Sequence, residues 1–252
     1  MRNWKKWIGA GAGVFALAIL MGFQPARKTA VSTDPLIEGF RKTTVASVAD
    51  AVDTVVGHPG FMSHDMRPRI AGAPARVVGR ARTAFARPAA KGQSTPQNAA
   101  KHAVAMIDDA KPGEVGIIVL ENGLDIAAIG GLMATTAKAR DMAGIIADGA
   151  VRDLAEIRAL GLPVFSRGIA PSTSVGRYIS VSMDEEVTCA GVKVKKGDII
   201  VAGEDGVVVV PSEKAAQVLK TAQEIDDRES KMVPFIKQFK SLTKTIQKFN
   251  RI

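Results

Sequence analysis

The chain has 252 residues, 46% apolar but only 5% aromatic, enough for one substantial core built from Val, Ile, Leu, Ala and Met. Setting aside residues 1–30 reduces the net charge of +9 to 29 bases against 25 acids, too mild an excess for a concentrated nucleic-acid-binding face. The single cysteine, Cys189, excludes an intrachain disulfide and a thiolate zinc site, and His58, His64 and His102 lack metal-ligand spacing.

Residues 1–30 carry Arg2, Lys5 and Lys6, then an uncharged apolar run over 7–23, then Pro25, Arg27 and Lys28. A basic start, an apolar middle and a polar end with small residues is the layout of a secretory signal. Seventeen apolar residues are at the low end for crossing a bilayer, so an uncleaved anchor is the second reading. No cysteine closes the run, which excludes a lipoprotein anchor. No strand precedes Gly9, Gly11 and Gly13, so they are not a nucleotide loop. The remainder is expected in the periplasm or outside the cell, or held at the inner membrane if the segment is kept.

Residues 31–35 read as a linker. Within residues 36–55, Val45, Val48, Val52 and Val55 fall on one helical face. A loop rich in Gly, Pro and His covers 57–74, and residues 76–86 alternate as a strand. Ser94, Thr95 and Pro96 signal a helix over 94–110, closed by Lys111-Pro112-Gly113. Residues 115–120 form a buried strand, Glu121-Asn122-Gly123 a turn, and 125–129 a short apolar segment. Gly130-Gly131 opens a helix through Arg140, and residues 144–147 are the next strand. The spacing predicts a helix over 154–160 closed by Gly161, then a strand at 163–165. Residues 187–194 and 198–202 look like hairpin strands, and residues 203–206 turn into a strand at 207–210. Pro211 opens a last helix to about Lys231. Helices and strands alternate without internal repeat, which predicts α/β with a mixed sheet in a single domain over 31–232.

Residues 231–252 hold six bases and no acid. Phe235, Phe239, Leu242, Ile246 and Phe249, spaced four, three, four and three, make one apolar stripe. This tail, set apart as 233–252, can lie on an anionic membrane surface. Packing against a neighbouring subunit is the favoured reading.

The candidate site comes from two junctions. The apolar run 145–147 followed by Asp148-Gly149 reads as a strand ending in a tight turn. Helical spacing after it puts Arg152 and Asp153 at the lip of the sheet, where α/β proteins place ligands. A guanidinium matches carboxylate oxygens, and a carboxylate can hold a hard divalent cation. The plain alternative is a surface ion pair at a helix start. Gly130 and Gly131 leave the first amides of a helix bare, an arrangement that suits a carboxylate; simple close packing is the alternative there. Consecutive junctions are usually neighbours in space, so the two can share a pocket equipped for a 2-oxo acid and a Lewis-acidic cation. No Gly-x-Ser-x-Gly elbow or phosphate loop is present, and Lys138 reads as solvated rather than as a Schiff-base lysine.

The run from 130 to 168, with GGLMATTAKAR, AGIIADGAVRD and IRALGLPVFSRG, resembles the family of 4-hydroxy-4-methyl-2-oxoglutarate aldolases and regulators of ribonuclease activity A. The likeness extends more weakly over residues 35–232. It implies a single-domain α/β fold, a layered α/β/β sandwich with a mixed sheet of the swivelling-domain kind, assembled as a homotrimer or a hexamer of two trimers. It implies a divalent-metal lyase: retro-aldol cleavage of 4-hydroxy-4-methyl-2-oxoglutarate to pyruvate, and oxaloacetate decarboxylation, both through a metal-stabilised pyruvate enolate. By position Asp153 would hold Mg²⁺ or Mn²⁺ largely through waters, and Arg152 would contact substrate oxygens. Amides across Gly130, Gly131, Leu132 and Met133 would bind the pyruvyl carboxylate. Asp50 would correspond to an acid in the helix after the linker, and Glu229 to one reaching in from a neighbouring subunit. The aldolases carry an acid at the position of Gly131; Asp125 is the candidate substitute. The regulators lack the acid at Asp153, which this chain keeps. The expected partners are a small 2-oxo acid and further copies of the chain, with membrane association through the N-terminal segment or the tail, and no nucleic acid. The alternative function is a non-catalytic carboxylate- or protein-binding protein of the regulator type, which Gly131 favours.

Overall fold

A computed structural model describes residues 34–70 and 75–249. The signal-or-anchor reading of residues 1–30 lies outside the described residues.

Where one helix face was read over 36–55, two short helices form, α1 (Pro35–Arg41) and α2 (Val45–Val56). The chain breaks between them because Thr44 caps α2: its hydroxyl accepts from the Ser47 amide at 3.0 Å. Asp34 caps α1 in the same way, accepting from the Leu36 amide at 3.0 Å. Gly57, at φ +87°, closes α2 in the left-handed conformation.

The remaining elements, in order, are β1 (Arg67–Pro68), β2 (Val77–Pro88), α3 (Lys101–Asp108), β3 (Val115–Leu120), β4 (Ala127–Ile129), α4 (Gly131–Ala139), β5 (Gly144–Val151), α5 (Leu154–Leu160), β6 (Val164–Ile169), β7 (Tyr178–Met183), β8 (Val187–Cys189), β9 (Val192–Val194), β10 (Ile199–Gly203), β11 (Gly206–Val210), α6 (Ala215–Phe239) and α7 (Leu242–Phe249). The main sheet runs β1-β6-β5-β3-β2-β10-β11, with β4 added on β5 and β7 on β2. Strands β6, β5, β3 and β2 are parallel; β1, β7, β10 and β11 join antiparallel. The segment before β1 meets β11 through a Phe61–Val208 bridge, and β1 pairs with β6. One stretch of chain therefore ties the two sheet edges together, and the mixed sheet is nearly closed.

Strand periodicity builds three cores. Val115, Ile117, Val119, Ile146, Ile200, Val207 and Val209 point into the interior of the nearly closed sheet. Their alternate neighbours Ile118, Leu120, Ile145 and Val151 pack under α3, α4 and α5. Ile199, Val201, Val208 and Val210 pack under α1, α2 and α6. This is the mixed α/β architecture expected from the sequence.

Several local expectations are corrected. The helix expected over 94–110 is confined to Lys101–Asp108, because Asn98 ties off a turn, accepting from the Thr95 amide and donating to the Gln93 carbonyl, each at 2.8 Å. The Asp148-Gly149 turn is not a turn. Strand β5 continues through it to Val151, with a register irregularity against β6 between Ala147 and Ala150. Residues 187–194 fold into their own two-stranded hairpin, β8–β9, while β10 pairs with β11 and β2. The last helix passes Lys231 and ends at Phe239. Lys240, at φ +47°, then turns the chain, so the expected single stripe is folded in half: Phe235 and Phe249 face each other with ring centroids 5.5 Å apart.

Candidate functional site

Strands β4 and β5 are parallel neighbours, and their C-terminal ends are level, Ile129 pairing with Val151. The Arg152 amide donates to the Ile129 carbonyl at 3.1 Å. The residues that follow each strand are thereby brought face to face at the carboxyl edge of the sheet. Gly130, Gly131, Leu132, Met133, Arg152 and Asp153 line one cleft of about 180 Å³. Its opposite wall is Ala100 and residues 173–175.

Within the cleft the Gly131 amide donates to Asp153 Oδ2 at 2.9 Å. Arg152 Nε lies 3.6 Å from the same oxygen, and both side chains are about two-fifths exposed. At that exposure an ion pair adds little to stability. Asp153 sits in the left-handed region, φ 55° and ψ 44°. Such a conformation costs on the order of 1–3 kcal/mol for most residues, somewhat less for Asp, and strain of this kind gathers at functional positions. The strain turns Asp153 back across the start of α4 rather than out along α5.

The two glycines do different work. A Cβ on Gly130 would meet Asp153 Oδ2 at 2.7 Å and Arg152 Nε at 2.9 Å, so the Arg152 and Asp153 side chains occupy the space any residue there would fill. A Cβ on Gly131 would meet Asp153 Cβ at 3.4 Å, ordinary contact. Gly131 is therefore not required by packing. Helix α4 has no side-chain cap of its own. Its first-turn amides at Leu132 and Met133 have no acceptor within the helix, and both residues line the cleft.

The other candidate residues are not brought here within one protomer. Asp50 is exposed on α2 and Glu229 exposed on α6, on the side of the fold where those two helices pack together. Asp125 lines a different cleft, and its carbonyl accepts from Ser172 Oγ. Among the described residues no group of three His, Cys, Asp or Glu side chains could hold a metal. The single exposed carboxylate of Asp153 suits Mg²⁺ or Mn²⁺ kept largely hydrated and completed by substrate oxygens, not a cation caged by protein.

That second cleft, about 780 Å³, shares no lining residue with the first and was not anticipated. At its wall Arg167 bridges Asp65 at 2.9 Å and Asp148 at 3.1 Å. Burial pulls the Arg167 guanidinium down, but the two carboxylates outweigh it and hold it above its usual value. Asp148 Oδ2 also accepts from the Ala190 amide at 2.6 Å. Two of the Arg167 nitrogens, Nε and Nη1, are thereby tied to these carboxylates. The signal for it in the sequence was a lone carboxylate inside the apolar run of β5. Cys189 beside it is fully buried, and burial with the Asp148 charge pushes its thiol well up, so it is no nucleophile.

A family described as RraA-like, Aldolase/RraA, matches residues 45–209. A Halalkalibacterium halodurans protein, provisionally named 4-hydroxy-4-methyl-2-oxoglutarate aldolase, is 34% identical over 115 residues, covering 46% of this chain and 54% of that protein. The chain thus spans about half the length of the curated relatives it matches. Among solved structures, an uncharacterised protein of Pseudomonas syringae pv. tomato superposes with a TM-score of 0.75 at 23% identity, over 88% of this chain and 97% of the other. Streptomyces coelicolor RraAS2, described as an unusual member of the RNase ES inhibitor RraA protein family, gives 0.66 at 24% identity, over 80% of this chain and 96% of the other. At those identities the likeness concerns the fold.

Proposed function

The chain belongs to the RraA-like Aldolase/RraA family, and from that premise we propose that it is a divalent-cation-dependent lyase of small 2-oxo acids. The observation that carries this reading is the convergence of open α4 amides, Arg152 and Asp153 in one cleft. The α4 amides of Gly131, Leu132 and Met133 bind the substrate carboxylate. Arg152 holds the 2-oxo oxygen as charge gathers there. Asp153 holds the cation, Mg²⁺ or Mn²⁺, which when bound supplies Lewis-acid polarisation of the 2-oxo group.

Within one protomer the cleft suits decarboxylation of oxaloacetate best. In that reaction the C3–C4 bond breaks, CO₂ leaves, the electron pair moves to the C2 oxygen, and water returns a proton to C3. No side chain has to take a proton. Retro-aldol cleavage of a 4-hydroxy-2-oxo acid needs a base for the C4 hydroxyl, and besides Asp153 no carboxylate or histidine lines the cleft. A homotrimer, or a hexamer of two trimers, belongs to the same proposal. Leu132 is 88% exposed at the mouth of the cleft, an apolar surface that a neighbouring subunit would cover, and Glu229 is the acid such a neighbour would bring. A periplasmic or secreted location follows the reading of residues 1–30.

The test is a turnover screen on chelator-treated protein with oxaloacetate and 4-hydroxy-2-oxo acids, with and without Mg²⁺ or Mn²⁺. Pyruvate release from oxaloacetate should require the cation and vanish in Arg152→Ala. Equal rates in chelator and in metal would refute the mechanism. The family resemblance, which implies an acid in the aldolases where this chain has Gly131, favours a non-catalytic carboxylate- or protein-binding regulator instead. Ligand-raised melting temperature with no turnover of any 2-oxo acid would establish that reading.

A further inference from the structure

The C-terminal arm is the largest feature the cleft chemistry leaves unused. Side chains of α6 enter the core of the molecule only as far as Ile225. Asp226 makes the last hydrogen bonds to the body, to Thr44 and Ser47. The rest of α6 runs about 20 Å further, and α7 folds back on it after Lys240. The rings of Phe235, Phe239 and Phe249 pack within this hairpin, and Met232 and Thr245 are buried in it. The phenylalanines of the apolar stripe therefore pack on one another, while Leu242 stays exposed. Most of what faces outward is charge.

Residues 231–249 contain five lysines and no acid. Lys231 is paired with Asp227. Lys237, Lys240, Lys244 and Lys248 are exposed, and no carboxylate among the described residues pairs with them. Lys248 is held 3.6 Å over the Phe235 ring, which fixes α7 against α6 without neutralising the charge. An element that carries four unneutralised cations beyond the body is suited to meet a negative surface.

We propose that this hairpin docks the protein electrostatically on an anionic phospholipid bilayer. Two observations favour lipid over nucleic acid, and one expectation from the sequence agrees with them. The aromatic rings that would stack on bases are turned into the hairpin. The described part of the arm past Arg228 has no arginine, the side chain of choice for phosphate forks and base edges. The basic-then-apolar sequence of residues 1–28, on the signal-or-anchor reading, delivers the chain to a membrane. Two apolar side chains, Val233 and Leu242, remain exposed on the arm for shallow contact with headgroups. Among the described residues no helix is long and apolar enough to cross a bilayer, so the arm lies on the surface.

The test is co-sedimentation of the full chain with vesicles of phosphatidylcholine alone and of phosphatidylcholine with 30 mol% phosphatidylglycerol (roughly the range in which surface potential becomes strong). The N-terminal segment carries Arg2, Lys5, Lys6, Arg27 and Lys28 and itself favours anionic vesicles, so the arm is read as the difference in that preference between wild type and a variant of the arm alone. Wild type should partition to the anionic vesicles on the order of a hundredfold better, since each lysine near such a surface contributes several-fold. That preference should fall away in 0.5 M NaCl, roughly where screening shortens to a few ångströms. It should drop at least about tenfold in the combined variant Lys237→Gln, Lys240→Gln, Lys244→Gln and Lys248→Gln, and an unchanged preference in that variant would overturn the proposal. The four sites are exposed, so the variant should keep its circular dichroism and its turnover of oxaloacetate. Equal partitioning to both vesicles would overturn the proposal. So would salt-sensitive binding of RNA or DNA by the same lysines without lipid preference, or a smaller oligomer for the glutamine variant in gel filtration, which would place these lysines at a subunit interface.

Discussion

Gly130 and Gly131 are chemically identical and adjacent, yet the structure predicts opposite outcomes for adding one methyl to each. At Gly130 a Cβ would stand 2.7 Å from Asp153 Oδ2 and 2.9 Å from Arg152 Nε. Return to ordinary contact at 3.4 Å requires shifts of about 0.7 Å and about 0.5 Å at those two atoms. Both are ends of exposed side chains, so the fold absorbs the change. The backbone of Gly130 is extended, so alanine there also removes about 0.4–1 kcal/mol of unfolded-state entropy. Net stability should stay within about 1 kcal/mol, or roughly 3 °C in melting temperature. Activity should not survive as well, because displacement of aligned groups by about 1 Å costs on the order of 100-fold. We expect Gly130→Ala to lose between about 10- and 100-fold in kcat/KM for cation-dependent decarboxylation. Gly131→Ala, whose Cβ finds ordinary contact, should keep activity within about twofold. A thermal-shift titration with pyruvate and Mg²⁺ reads the same displacement without turnover. Equal losses in the two variants, or an unaffected Gly130→Ala, would refute the assignment of this cleft.

Two further outcomes follow from groups outside the cleft. Arg82 grips Asp184 through two hydrogen bonds, 2.6 and 2.9 Å, with side chains 8% and 18% exposed. Burial alone would raise the Asp184 carboxyl, but Arg82 and Lys196 outweigh it and hold it below the usual carboxylate range. The stabilisation is thus present above about pH 4 and lost as pH falls through the depressed folded-state value. Asp184→Asn should cost about 2 kcal/mol at pH 7 by urea unfolding, and should flatten the acid limb of the stability curve. Cys189 should resist iodoacetamide in the native protein at pH 8 and react only on unfolding, as mass spectrometry would report.

What the sequence displayed well was periodicity. Strands β3, β10 and β11 alternate between two cores, and their Val- and Ile-rich runs show it directly. The Arg152–Asp153 junction was also legible, since a strand followed by helical spacing leaves little else for it to be. What stayed hidden depended on partners far along the chain. Asp148-Gly149 has the composition of a turn, yet Arg167 and the Ala190 amide supply the contacts that keep Asp148 inside a strand. Strand β7 lacks an apolar rhythm because it borrows its order from the edge of β2. The far wall of the cleft comes from residues 173–175, more than 40 positions after Gly130, and no local pattern marks it. The tail stripe was real, but Lys240 in the left-handed region turned its two halves on each other.

The capping of the helices separates scaffold from site. Helices α1 and α2 are capped by the residue just before them, Asp34 and Thr44. Helix α4 has only Gly130 at that position, and its first amide is met by Asp153, 22 residues further on. A cap supplied from across a cleft is one that a ligand carboxylate can displace. On the proposed lyase reading, a substrate that took that amide would release Asp153 Oδ2 toward the cation, so keto acid and cation should assist each other. Linkage makes the assistance reciprocal. Replacing one charge-assisted hydrogen bond implies coupling of about 1–2 kcal/mol, or roughly 5- to 30-fold in either affinity. Calorimetric titration of Mg²⁺ with and without saturating pyruvate measures it. Asp153→Asn separates the two roles: its amide oxygen still accepts from Gly131, so the melting temperature should hold, while the coupling should vanish with the charge. If Mg²⁺ bound equally well to wild type and Asp153→Asn, or bound wild type equally well without pyruvate, the exchange at the Gly131 amide would not be how this cleft works.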